Sequence, residues 1–179
     1  MKTEVTKRLE MAIWKATNKH GVFGCFEVTI GWRGRERVDY MTYDTKGDFR
    51  CYEIKVTKAD FHSPCQKSFV GHLNYYVMPE ELYNEVKNEI PGDIGVWVMQ
   101  KFGLSIVKRA SRRSINHSDI LKDCMIRSLC REVTKQIQSE SPLVVDDLNR
   151  EIARLKKEYT RCKEKYTDLL QEVESGDRA

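Results

Sequence analysis

The stretch Arg37-Val-Asp-Tyr-Met-Thr-Tyr-Asp-Thr-Lys-Gly-Asp-Phe-Arg-Cys-Tyr-Glu-Ile-Lys-Val56 decides how the chain folds. Two runs rich in aromatic and β-branched residues, 37–43 and 49–56, flank Asp44-Thr-Lys-Gly47-Asp48. Glycine in such a link supplies the positive φ of a tight turn, so the stretch reads as a β-hairpin. Side chains alternate along a strand. Glu53 and Lys55 therefore share one face, and Tyr52, Ile54 and Val56 point to the other. Asp39, fourteen residues before Glu53 on the neighbouring strand, can lie beside them. Two carboxylates with one lysine suit a hard cation such as Mg²⁺. The cation would polarise a phosphodiester and help generate hydroxide, while the lysine positions water or offsets developing charge. An acid followed by acid-x-lysine is common on edge strands, so its surroundings carry the weight.

Working outward, residues 3–19 have Val5, Leu9, Ile13 and Ala16 at helical spacing, and His20-Gly21 closes that helix. Residues 23–30 form a strand that ends in a glycine-rich turn, Gly31-Trp-Arg-Gly-Arg35. Beyond the hairpin, Thr57-Lys-Ala-Asp60 has the form of a capping box, which starts a helix near 58. The chain crosses over and returns as a strand at 74–78, a parallel neighbour. Pro79 opens a helix to about 88; 94–99 and 104–110 form a hairpin around Lys101-Phe-Gly103. A helix over 118–138 sets Ile120, Leu121, Met125, Leu129, Val133 and Ile137 on one side, and Pro142 breaks it.

The last segment has the clearest period. Leu148, Ile152, Leu155, Tyr159, Cys162, Tyr166, Leu169 and Val173 alternate spacings of four and three, four heptads of a coiled coil. Leu148, Leu155, Cys162 and Leu169 take d, and the others a. Ile at a with Leu at d leans toward a parallel dimer. Residues 146–174 are thus read as a homodimerisation helix.

The 179 residues carry 31 Lys+Arg against 27 Asp+Glu, a net +4. Residues 145–179 sum to −1, so the first 144 carry +5, and 101–135 alone hold +6. Lys108, Arg109, Arg112 and Arg113 are the densest part, a cluster suited to a phosphate backbone. No run approaches the roughly 20 apolar residues of a membrane span. The acid-bearing N-terminal segment does not read as a secretory signal. Six cysteines without a CxxC pair read as reduced thiols, which places the protein in the cytoplasm. Four histidines have no i, i+4 spacing, and no phosphate-binding glycine loop occurs, so zinc-hydrolase and nucleotide-binding classes are set aside. Trp32, with Arg33 and Arg35, sits on a turn where it can stack on a base.

The element order and Asp39…Glu53-x-Lys55 resemble the PD-(D/E)xK nuclease superfamily, and more closely its MmcB-like DNA-repair branch. The segments that carry the resemblance include Phe26-Glu27-Val28-Thr29-Ile30, Arg37-Val38-Asp39, Tyr52-Glu53-Ile54-Lys55, Lys58-Ala59-Asp60-Phe61 and Tyr75-Tyr76-Val77-Met78-Pro79. Together with Ile94–Val98, Phe102-Gly103 and Lys108 to Arg113, they span roughly residues 8–114. The resemblance implies a restriction-endonuclease-like mixed sheet, αβββαβ, flanked by helices. It also implies Mg²⁺ or Mn²⁺ on Asp39, Glu53 and the carbonyl of Ile54, with Lys55 as the catalytic lysine. Glu27 matches an acid of the preceding strand and Glu10 a first-helix glutamate of related junction resolvases; one of the two reaches the metal. Lys67, or Gln66 beside it, would sit near the scissile phosphate. The long turn 31–37 and the interruption His62-Ser-Pro64-Cys65 depart from the family pattern.

The expectation is a metal-dependent deoxyribonuclease domain over 1–140, joined to an assembly helix over 145–175. Its substrate is DNA, branched or single-stranded forms included, held by Lys67, Arg109, Arg112 and Arg113. The alternative is a catalytically weak nuclease-fold adaptor that binds nucleic acid or protein.

Overall fold

The computed structural model describes residues 2–31, 36–64 and 68–176, with side chains as far as 170. Trp32, Arg33, Arg35, Gln66 and Lys67 lie outside the described residues. The chain divides into two compact units, 1–130 and 131–179.

The first unit is a six-stranded mixed sheet flanked by helices. Helix α1 (Glu4–Thr17) precedes β1 (Val22–Ile30), β2 (Glu36–Asp44) and β3 (Phe49–Ile54). A single-turn α2 (Lys58–Phe61) leads to β4 (Leu73–Pro79) and α3 (Glu80–Val86). The hairpin β5 (Gly95–Gln100) and β6 (Gly103–Lys108) closes the sheet, and α4 (Ser118–Glu140) follows. The strands lie in sequence order. β1, β2 and β3 are antiparallel neighbours, β3, β4 and β5 are parallel, and β6 runs back against β5. Among the described residues no helix is long and apolar enough to cross a membrane.

Local chemistry explains the elements that position the site. In the β2–β3 turn Gly47 adopts φ 87°, and Asp44 Oδ1 accepts the N–H groups of Lys46 and Asp48, both at 3.0 Å. Thr57 Oγ1 accepts the N–H of Asp60 at 3.1 Å, and Asp60 Oδ2 accepts that of Val56 at 3.3 Å. This reciprocal cap starts α2 where the sequence places it.

One face of the sheet packs on α1 through Leu9, Ile13, Tyr40, Tyr52, Ile54, Tyr75 and Val77. Tyr52 stacks on Tyr75 at 5.5 Å between centroids, and the Tyr40 hydroxyl meets Thr17 Oγ1 at 3.0 Å. A Cβ on Gly24 would sit 2.1 Å from that hydroxyl, so no larger residue fits without displacing Tyr40. On the other face α4 covers Val28, Val38, Met41, Phe49 and Cys51, while α3 covers Tyr76, Met78, Val96 and Val98.

Helix α4 forms where its period places it. Only Leu121, Cys124, Met125 and Ser128 are buried, whereas Ile120, Leu129, Val133 and Ile137 are exposed. The first compact unit ends at 130, although the helix continues to Glu140. In the second unit α5 (Pro142–Gly176) is one continuous helix.

Candidate metal and catalytic site

Acids and lysines gather around the level where β1, β2 and β3 lose their regular pairing. Tyr40↔Tyr52 is the last matched pair of β2 and β3 on this side. Past it, Asp39 Oδ2 accepts the main-chain N–H of Ile54 at 2.8 Å. Between β1 and β2, Phe26↔Tyr40 and Val28↔Val38 are paired, and Glu27 and Asp39 between them are not. Glu27 has φ 54°, the left-handed region that a glutamate rarely occupies. Cys25 and Val28 nevertheless pack in the same core cluster, as do Met41 and Val38. Alternation therefore slips by one residue on both strands at this level. A slip in both keeps the register and throws Glu27 and Asp39 out of the pleat together.

Glu53 lies at the end of β3, with Tyr76 of β4 as its partner across the sheet. It is 4 % exposed, and its Oε1 has no hydrogen-bond partner. Burial first, and the Asp39 carboxylate second, push its pKa up to about 8; Lys55 and a main-chain hydrogen bond from Ser68 oppose the rise. Burial likewise raises Asp39, with Glu27 adding to it, against the Ile54 N–H, Lys55 and Arg37. Lys55 follows the last residue of β3 and is held by its own N–H, which donates to the carbonyl of Val77 at 2.9 Å. Its ammonium is buried 3.6 Å from Asp60 Oδ1. The capping residue of α2 is thus also the counter-ion of the lysine.

Glu10 and Glu27 come together through a residue the sequence reading passed over. Lys2 Nζ sits 2.5 Å from Glu10 Oε1 and 2.7 Å from Glu27 Oε1. Burial would lower the Lys2 pKa, but the two carboxylates outweigh it and hold it above its ordinary value. Arg37 Nε meets the other oxygen of Glu27 at 2.6 Å. Both acids are thus neutralised by cations of the chain itself. Lys2 is near Glu10 in sequence but not near Glu27, and only tertiary structure joins the three.

The basic residues stand elsewhere. β6 runs back along the sheet, so Lys108 comes level with Glu53 through Val96 and Tyr76, three strands away and about 14 Å by strand spacing, while Arg112 reaches Asp48, about 17 Å from Glu53 by the rise of five strand residues. Arg112 makes a two-pronged pair with Asp48 at 2.6 and 2.7 Å, and Arg113 pairs with Asp93. Lys108 donates to the carbonyls of Ile90 and Pro91, and Arg109 is exposed. Geometry therefore does not bring this cluster to the acids. His62, away from them, pairs with Glu89 at 2.6 Å.

A divalent cation fits the first group on chemical grounds. Glu53 offers a buried oxygen with no partner, and Asp39 faces it across the strand ends. Asp39, Glu53 and the carbonyl of Ile54 are the groups that would hold the ion; Mg²⁺ commonly keeps waters beside one or two carboxylates. Among the described residues no group of three or more His, Cys, Asp or Glu side chains forms a metal-holding cluster, and a two-carboxylate site needs none.

The fold has a solved counterpart. It is similar to the SPO1766 protein of unknown function from Silicibacter pomeroyi, with a TM-score of 0.59 and 20 % identity. The match covers 78 % of this chain and 92 % of that one. At that identity the likeness concerns the fold alone. No family model matches the chain, and no curated protein matches it.

Proposed function

We propose that the chain is a Mg²⁺- or Mn²⁺-dependent deoxyribonuclease with a restriction-endonuclease-like core of the PD-(D/E)xK kind. The resemblance to the MmcB-like DNA-repair branch belongs to this reading, as does a place of action in the cytoplasm. The observation that carries it is the buried, partnerless Glu53 carboxyl oxygen, beside Asp39 and Lys55 at one strand end. Burying an acid this way is costly unless a cation answers it.

In this reading Asp39, Glu53 and the Ile54 carbonyl hold the ion. When bound, the ion supplies polarisation of the phosphodiester and a water of lowered pKa. Asp39 is oriented by the Ile54 amide, so its second oxygen is left for the cation. Lys55 places a positive charge where the attacking water and the developing phosphate charge lie. Asp60, itself fixed by the α2 cap, keeps that ammonium from swinging away. DNA is the proposed partner, and a second copy of the chain, joined through residues 146–174, is the other.

The test is cleavage of single-stranded, double-stranded and branched DNA with Mg²⁺, Mn²⁺ or EDTA, with Lys55→Ala alongside. Metal-dependent cleavage that Lys55→Ala abolishes is the expected result. Wild type and variant behaving alike on every substrate overturns it. DNA binding without cleavage favours the adaptor reading instead.

A further inference from the structure

We infer that α5 pairs with α5 of a second copy as a parallel, in-register, two-stranded coiled coil. The inference shares with the proposed function only the homodimer; a protein that cleaves nothing pairs in the same way.

Leu148, Ile152, Leu155, Tyr159, Tyr166 and Leu169 form one stripe along the helix, with exposed Cys162 filling its gap. Their exposure runs from 48 % at Ile152 to 70 % at Tyr159. Long helices owe their stability to packing of such a stripe, and a second copy supplies an identical one.

The core alone admits two alignments. In the parallel one each layer meets its own copy. In the reverse one, layers a and d meet: Ile152 lies on Leu169 and Tyr159 on Cys162. The flanking charges separate them. In the parallel dimer g meets e of the next heptad, so Glu151 faces Lys156 of the second copy and Glu158 faces Lys163. Symmetry makes four opposite-charge pairs. In the reverse alignment Glu158 meets Lys165 twice, but Lys156 meets Lys163 twice and position 151 meets position 172, both glutamates, twice, so repulsion outweighs attraction. Charge complementarity therefore selects the parallel pair and its register.

The experiment uses the full-length chain. Sedimentation at micromolar concentration is expected to give twice the chain mass. Lys156→Glu with Lys163→Glu turns all four pairs repulsive and should raise the dissociation constant about tenfold or more. Adding Glu151→Lys and Glu158→Lys should restore it. These positions are on the helix surface, so circular dichroism checks that the fold is kept.

Orientation is read from Leu148→Cys in a Cys130→Ser, Cys162→Ser background. Diamide oxidises two thiols to a disulfide and takes up their two hydrogens at its N=N bond. A 148–148 cross-link, absent from the same background with Leu148 retained, is expected. In the reverse alignment those positions lie roughly 37 Å apart, from 25 residues of helical rise. A monomeric wild type overturns the pairing and the homodimer together. A dimer without the 148–148 link, or one indifferent to the charge reversal, overturns the parallel alignment alone.

Discussion

The carboxylate of Asp39 takes the main-chain N–H of Ile54 at 2.8 Å, so a side chain of β2 continues the ladder where its backbone has stopped. The same bond puts Asp39, the acid proposed to hold the metal, beside the Ile54 peptide. The fold and the proposed chemistry thus depend on the two oxygens of one carboxylate.

Two replacements separate those roles. Asp39→Ala leaves the Ile54 amide without its acceptor, at a cost of about 1–3 kcal/mol. Asp39→Asn keeps an acceptor oxygen and loses only the charge, so it should unfold at nearly the wild-type denaturant concentration. Both should fall to the cleavage level of the metal-free control. Equal destabilisation by Ala and Asn would show that the hydrogen bond does not matter.

Glu53 makes the metal-free protein sensitive to base. Its folded pKa of about 8 stands above the ordinary value of 4.5. Between these values the unfolded chain releases a proton that the folded chain keeps. The contribution is complete below pH 4.5 and is lost as pH rises through 8, on the order of a few kcal/mol. Thermal unfolding in EDTA from pH 5 to 8.5 should therefore show wild type losing stability faster than Glu53→Gln. Saturating Mg²⁺ should flatten the wild-type slope, because the ion favours the ionised acid. Parallel slopes for the two proteins in EDTA would refute this account.

The parts that follow local rules were legible. Alternation, the Gly47 turn and the Thr57–Asp60 cap are set by near neighbours, and they put Glu53 and Lys55 on one face. The slip at Glu27 and Asp39 was not, because nothing in a glutamate announces φ 54°. Nor were the partners of the arginines, since Asp48 lies 64 residues before Arg112. Helical period marked the apolar residues of α4, but period does not say which of them a neighbouring element buries. Lys2 shows the same limit: two acids and a cation that meet in space leave no shared spacing.

Lys2 competes with the cation in the proposed site. Its ammonium neutralises Glu10 and Glu27, and Glu27 stands directly across from Asp39. Lys2→Ala removes that charge at an exposed position, so the fold should hold. The field at Asp39 and Glu53 becomes more negative, and Mg²⁺ should reach half-maximal activity at a severalfold lower concentration. A Mg²⁺ titration of cleavage measures it; an unchanged or higher midpoint refutes the competition.

Arg112 is the sharpest test of where DNA does not bind. On charge alone it belongs to the phosphate-holding cluster, yet both its prongs are spent on Asp48, at the far end of β3 from Glu53. That pair holds the Asp48 carboxyl below its usual range, through the Arg112 hydrogen bonds first and against a smaller cost of burial. Its contribution is present at neutral pH and lost as pH falls through the acid range, and salt weakens it. Arg112→Ala should therefore make stability less dependent on acid and on salt, while KM for DNA stays at the wild-type value. A large rise in KM would return Arg112 to the DNA-binding surface and would require the substrate to reach across the length of the sheet.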